Sequence, residues 1–144
     1  MRLGIFTKPC HVEKIVNYLN QWTDIPYVIS TERREVDLFE YDVGVSYCWP
    51  WKVSAEHLKL RDWYNYHPGL LPDHKGVDCY VKAILDGRYG VTLHKMNEEW
   101  DSGEILVTKV FEANPVNTQD LANLTHHYLF ELFKETIEGL ADDD

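Results

Sequence analysis

Basic residues are scarce in this chain: 14 Lys plus Arg stand against 24 Asp plus Glu, a formal charge of -10 over 144 residues. A surface of that sign has no general attraction for phosphate backbones or anionic lipid, so neither nucleic acid nor a membrane surface is expected as a partner. Cysteine is scarce too. Cys10, Cys48 and Cys79 are an odd count with no Cys-x-x-Cys spacing, which argues against a disulfide framework or a closed zinc site and for the reduced thiols of a cytoplasmic protein. Long apolar runs are missing: Leu3 to Phe6 gives way to Lys8 and Pro9, too short for the hydrophobic region of a signal peptide, and no other stretch approaches a membrane span. Internal repeats, low-complexity segments and linkers are absent as well. A single domain over residues 1–144 is therefore expected, with Asp142-Asp143-Asp144 as a solvated tail.

What is present is an ordinary globular composition, 44% apolar and 26% charged, with aromatics at 13%. Leu3 to Thr7 reads as a buried strand. After Pro9, Val12, Ile15, Val16 and Leu19 recur at helical spacing. Tyr27 to Ser30 and Val43 to Tyr47 read as further strands, separated by the charged connection Thr31 to Glu40. Ser54 can cap a short helix through Leu58. Asp62 to His67 makes a fourth strand that stops at Pro68, which cannot donate a ladder hydrogen bond. A helix through Val81, Ile84 and Leu85 ends at Gly87, Tyr89 to Lys95 is a fifth strand, and Ile105 to Phe111 is a sixth. Thr118 is placed to cap a long amphipathic helix with Leu121, Leu124, Tyr128, Leu129, Leu132, Phe133 and Ile137 on one face. This alternation predicts an α/β fold, a layered, mostly parallel sheet with flanking helices and right-handed crossovers.

In such sheets ligands gather outside the carboxyl ends of the strands. The end of the fourth strand carries Asn65 and His67, which alternation puts on one face, followed by the stiff turn Pro68-Gly69-Leu70-Leu71-Pro72. A second element, Val91-Thr92-Leu93-His94-Lys95, leads into a loop that can return Asp101-Ser102-Gly103 to the same crevice. A carboxylate beside an imidazole fixes its tautomer and stabilises its cation.

Together these elements resemble the tetrahydrofolate-dependent formyltransferases. Asn65-Tyr66-His67-Pro68-Gly69-Leu70-Leu71-Pro72 looks like that family's Asn-x-His-Pro-Ser/Gly-x-Leu-Pro signature. Val91-Thr92-Leu93-His94 and Asp101-Ser102-Gly103 look like its later Val-Thr-x-His and Asp-x-Gly elements, in the same order. The resemblance runs from about Tyr41 to the last helix. It implies a Rossmann-like formyltransferase fold, shortened in its N-terminal half, with Asn65, His67 and Asp101 as the catalytic trio. It also implies 10-formyltetrahydrofolate as formyl donor, held near Trp49, Trp51, Lys52, Val53 and Trp100. The two tryptophans after Cys48 can be pocket walls or core residues, and His94 is given a supporting role.

The expected reaction is attack of a primary amine on the formyl carbon, Asn65 donating to the developing oxyanion, His67 donating to the same oxygen or shuttling the proton, and Asp101 orienting His67 or accepting the proton through water. No metal is expected, since Cys10, His11, Cys48, His67 and Cys79 have no recognised ligand spacing. Initiator tRNA is disfavoured as acceptor by the acidic charge and the short length. Lys75 to Ile84 looks more like the amino-sugar-nucleotide formyltransferases, so a small phosphorylated or nucleotide-linked amine is the expected acceptor. Formyltetrahydrofolate hydrolysis, glycinamide ribonucleotide formylation and a catalytically silent folate-binding module are the alternatives. Neither membrane nor nucleic acid is expected as a partner, and a homodimer is allowed.

Overall fold

The computed structural model describes residues 1–142. Six strands form one sheet in the order β2-β1-β3-β4-β5-β6: β1 (Leu3–Thr7), β2 (Tyr27–Ser30), β3 (Val43–Tyr47), β4 (Trp63–His67), β5 (Tyr89–Lys95) and β6 (Ile105–Phe111). The first four are parallel and the last two antiparallel. Helices α1 (Pro9–Trp22), α2 (Ala55–Leu60), α3 (Cys79–Asp86) and α4 (Thr118–Ala141) flank it, with a 3₁₀ turn at Arg33–Asp37. None of them is long and apolar enough to cross a membrane.

The central strands β1 and β3 are buried along their whole length, which is why they read as unbroken apolar runs rather than alternating ones. On one face Leu3, Ile5, Val45, Tyr47 and Tyr66 pack with Ile15 and Leu19 of α1 and with Leu129, Phe133 and Ile137 of α4. The opposite face carries a smaller aromatic cluster of Phe6, Tyr41, Trp49 and Trp63 with Val36 and Val53. Phe6 lies 5.1 Å from Trp49 and 5.6 Å from Trp63, ring centroid to ring centroid. Trp63, Asn65 and His67 alternate onto this second face, so the aromatic cluster supports one end of β4 and leaves the other end for polar side chains.

Three local expectations are corrected. Pro9 does not precede its helix but sits in the first turn of α1, where its missing N–H would have had no partner anyway. The N-cap of α4 is Asn117 rather than Thr118: the Asn117 side chain accepts the Asp120 N–H at 2.8 Å. The charged connection after β2 is not featureless, because Ser30 Oγ bonds the Glu35 carboxylate and Arg33–Asp37 winds into the 3₁₀ turn. Ser54 does cap α2, through His57 N, and the helix continues to Leu60. Gly87 ends α3 in the left-handed conformation, φ 68°. Asp142 closes α4 through its N–H to Glu138 O at 3.0 Å, while Asp143 and Asp144 of the expected tail lie outside the described residues.

Candidate active site

The polar end of β4 is organised by its neighbour. β5 runs antiparallel to β4 with Asn65 opposite His94, a pairing that brings the Asn65 amide Nδ2 to 3.1 Å from His94 Nε2. His94 Nδ1 faces the Lys95 carbonyl at 3.2 Å. Nδ1 therefore carries the proton and Nε2 accepts from Asn65. Burial is the main reason the His94 pKa is lowered, which keeps the ring neutral and able to accept. One amide hydrogen of Asn65 is thus committed and the other remains available.

His67 is held just as firmly. Its Nε2 donates to the His74 carbonyl at 2.7 Å, which leaves Nδ1 to face the Asp101 Oδ1 at 3.5 Å, both side chains being 6% exposed. Burial, the largest influence, lowers the His67 pKa, and the Asp101 carboxylate pulls it back up. Nδ1 of a neutral His67 is consequently a lone pair that can accept a proton beside a carboxylate able to stabilise the resulting cation.

Asp101 does not come from the adjoining strand end. Because β5 is antiparallel, the loop after it begins beside the start of β4 and folds back over the sheet. Asp101 has φ 52°, a left-handed conformation that Asp tolerates better than most residues. The Gly76 N–H donates to its Oδ2 at 2.9 Å, and the Lys75 ammonium donates to Ser102 Oγ at 2.8 Å. Gly103 makes the fold-back possible, since a Cβ there would fall 1.3 Å from the Lys95 carbonyl oxygen.

Two clefts meet at these residues. One is narrow, with a cavity of about 20 Å³, and is walled by Trp49, Trp51, Lys52, Val53, Met96 and Trp100. The other, about 240 Å³ and more open, is bounded by Lys8, Cys48, His67, Val77, Tyr80 and His126. Trp49, Asn65, Trp100 and Asp101 line both.

A family model described as formyl transferase matches residues 55–136, more than half of the chain. The chain belongs to the formyl transferase family. Among curated relatives, methionyl-tRNA formyltransferase of Borreliella burgdorferi (strain ZS7) is 39% identical over 80 residues, 54% of this chain and 26% of the relative. The chain thus spans about a quarter of the curated relatives it matches. A sugar N-formyltransferase from Shewanella sp FDAARGOS_354 superposes with a TM-score of 0.82 at 22% identity, covering 98% of this chain and 70% of the other. Phosphoribosylglycinamide formyltransferase from Campylobacter jejuni superposes at 0.76 and 20% identity, over 97% of both chains. Formyltransferase PseJ from Anoxybacillus kamchatkensis, solved with UDP-4,6-dideoxy-4-formamido-L-AltNAc and tetrahydrofolate, superposes at 0.75 and 20% identity over 92% and 73%. At these identities the structures establish a shared formyltransferase fold.

In this chain Asn65, His67 and Asp101 are brought together, and Trp49, Trp51, Lys52, Val53 and Trp100 share the narrower cleft with Asn65 and Asp101. Trp49 is both core and wall, 5% exposed and donating Nε1–H to Thr31 O at 3.4 Å. Trp51 is 43% exposed and stacks beneath the Arg33 guanidinium at 5.2 Å. Sequence reasoning missed the His74 carbonyl and the Gly76 N–H, backbone groups that no side-chain motif can signal. His94 was assigned only a general supporting role, whereas it contacts Asn65 directly.

Proposed function

We propose that this domain transfers a formyl group from 10-formyltetrahydrofolate to the primary amine of a small phosphorylated or nucleotide-linked compound, such as an amino-sugar nucleotide. The observation that carries this reading is the convergence of Asn65 and Asp101, on the wall shared by two clefts, with His67 on the open one. Such a wall lets a donor in the narrow aromatic cleft and an acceptor in the open one meet at a single carbon. The amine nitrogen bonds to the formyl carbon, and the carbonyl π electrons move onto oxygen. The uncommitted Asn65 N–H donates to that oxyanion, a contribution worth about 3 kcal/mol in comparable acyl transfers. The nitrogen's surplus proton passes to His67 Nδ1, where Asp101 stabilises the resulting imidazolium. Collapse of the intermediate restores the carbonyl and breaks the bond to the folate nitrogen, which takes the proton back from His67 and leaves as tetrahydrofolate, returning His67 to its neutral form.

For the acceptor, support comes from Lys8 on the open cleft, from the charge of -10, and from the sugar-nucleotide product and tetrahydrofolate bound by PseJ. One or two local cations, such as Lys8 and Lys52, can offset a diphosphate, whereas a polyanion meets the whole acidic surface. The test offers 10-formyltetrahydrofolate with amino-sugar nucleotides, glycinamide ribonucleotide and aminoacylated initiator tRNA, following tetrahydrofolate and formylated product. Formylated sugar nucleotide is the expected outcome. Label on the ribonucleotide or tRNA overturns the acceptor assignment, formate without an amine makes the domain a hydrolase, and an unchanged folate makes it a binding module.

A further inference from the structure

Beside the open cleft, which Cys48 and His126 line, lies a second group of side chains that formyl transfer leaves unused. Strand order reverses between β1 and β3, and the crevice beyond their carboxyl ends is where α/β sheets bind ligands. His11 stands in the first turn of α1, directly after β1. Cys48 follows β3 immediately, in a left-handed conformation of φ 52°. His126 reaches in from α4. One ring nitrogen of each histidine and the Cys48 Sγ all lie within 4.8 Å of one another. The two imidazoles are 5.1 Å apart between centroids, and the edge of Tyr47 supports His11 at 5.2 Å. His126 Nε2 is 3.1 Å from Tyr80 Oη, while its Nδ1 is buried without a hydrogen-bond partner among the described residues.

An orphaned buried ring nitrogen beside a second imidazole and a thiol is costly unless something coordinates it. We propose that His11, Cys48 and His126 bind a single thiophilic divalent cation of the zinc type, with a fourth coordination position open to the cleft. Two nitrogens and a sulfur are the donor set such borderline-soft ions select, and three protein ligands leave one position for water. Ligation through Nδ1 satisfies the orphan and leaves Nε2–H to donate to Tyr80 Oη, the kind of support that orients a metal-bound imidazole. Tetrahedral Zn–N and Zn–S bonds imply ligand separations of about 3.5 Å, so modest side-chain rotation closes the triangle.

Burial, reinforced by Lys14, lowers the pKa of both histidines to about 4, so they are already in the neutral form a metal requires. Burial raises the Cys48 thiol to about 12, so metal binding must expel its proton: the ion and the thiol give a metal–thiolate bond and one released proton, with no change of oxidation state. Lys8 and Lys14 oppose a hard, fully charged cation such as magnesium. They oppose less a cation whose charge is halved by the thiolate it creates, and Lys14 is already drawn over the rings of Tyr47 and Phe130, at 5.7 and 5.1 Å. Chain separation explains why sequence spacing gave no hint of the site: the three ligands come from three elements and are fixed only by the fold.

The test titrates the metal-free full chain with Co²⁺, followed by Zn²⁺ competition. One equivalent should bind with a thiolate-to-cobalt charge-transfer band, and the buffer dependence of the calorimetric heat should report one proton released. Cys48→Ser should abolish the band, His126→Gln should weaken binding by about 100-fold, and the Cys10→Ser/Cys79→Ser double variant should retain both. In the wild-type chain, whatever the folding of the variants, zinc should shift the imidazole NMR signals of His11 and His126 among the seven histidines. Absence of 1:1 binding, a band that survives Cys48→Ser in a folded protein, or perturbation of His67 and His94 instead would overturn the assignment.

Discussion

Replacing Asp101 with asparagine removes one charge and almost no volume, which makes it the sharpest probe of the proposed transfer. An amide oxygen can still accept the Gly76 N–H now held at 2.9 Å, so the loop keeps its anchor. What disappears is the carboxylate 3.5 Å from His67 Nδ1. With a neutral imidazole in the ground state little is lost, but when His67 takes the amine proton the attraction between imidazolium and carboxylate vanishes. At an effective dielectric of about 20, two unit charges at this range attract by about 4 kcal/mol, which corresponds to a rate change of about 10³-fold. Turnover should fall by that factor with KM little changed, measured as tetrahydrofolate formation with circular dichroism to verify the fold. A second readout needs no acceptor: Asp101 raises the His67 pKa against burial, so the variant's His67 should titrate at lower pH than wild type in an NMR experiment. A folded Asp101→Asn protein that keeps turnover within about tenfold of wild type, or an unmoved His67 titration, refutes the assigned role.

Four further outcomes follow from the same geometry. His94→Leu should lower turnover about 10- to 100-fold by releasing the Asn65 amide from its acceptor, with partial recovery in His94→Gln; equal rates for wild type and His94→Leu would show that Asn65 needs no such anchor. Gly103→Ala drives a Cβ into the Lys95 carbonyl and should destabilise the domain by about 2 kcal/mol or more in urea titrations, whereas an unchanged midpoint means the loop has room to spare. The His67 pKa lies below its ordinary 6.5, so the proton-accepting neutral form persists from neutral pH down to that value and turnover should decline only at lower pH; a decline that begins above pH 7 contradicts this. A stable formyltetrahydrofolate analogue should bind in the presence of chelator and quench tryptophan fluorescence through Trp49, Trp51 and Trp100, and calorimetry showing no binding at millimolar ligand removes the folate assignment.

Much of the sheet could be read from the chain because its strands are sharply bounded, with β1 and β3 buried along their whole length. Leu3–Thr7, Tyr27–Ser30, Val43–Tyr47 and Tyr89–Lys95 are short runs, mostly apolar, bounded by charge, proline or glycine, and they appear as strands with those bounds. Strand direction was less accessible. A helix lies between β4 and β5, as it would in a parallel crossover, and nothing local announces that β5 turns back antiparallel. That one reversal places His94 opposite Asn65 and obliges the Asp101 loop to fold over the sheet. Motif order brought Asn65, His67 and Asp101 to attention, but their anchors are the Gly76 N–H and the His74 carbonyl, whose roles depend on loop conformation. The cap of α4 failed for a subtler reason: Asn117 and Thr118 are both good capping residues, and only the turn geometry chooses between them.

Trp49, Asn65, Trp100 and Asp101 belong to both clefts, and that double membership couples the two ligand sites proposed for them. A molecule seated in either cleft dries and braces a surface that the other ligand must contact, so neither affinity is an intrinsic constant of its own site. Whatever factor the acceptor contributes to folate affinity, folate must contribute to acceptor affinity. Mutations confined to the Trp51 side of the wall should consequently change the apparent affinity of a ligand they never touch, with the bound partner as messenger.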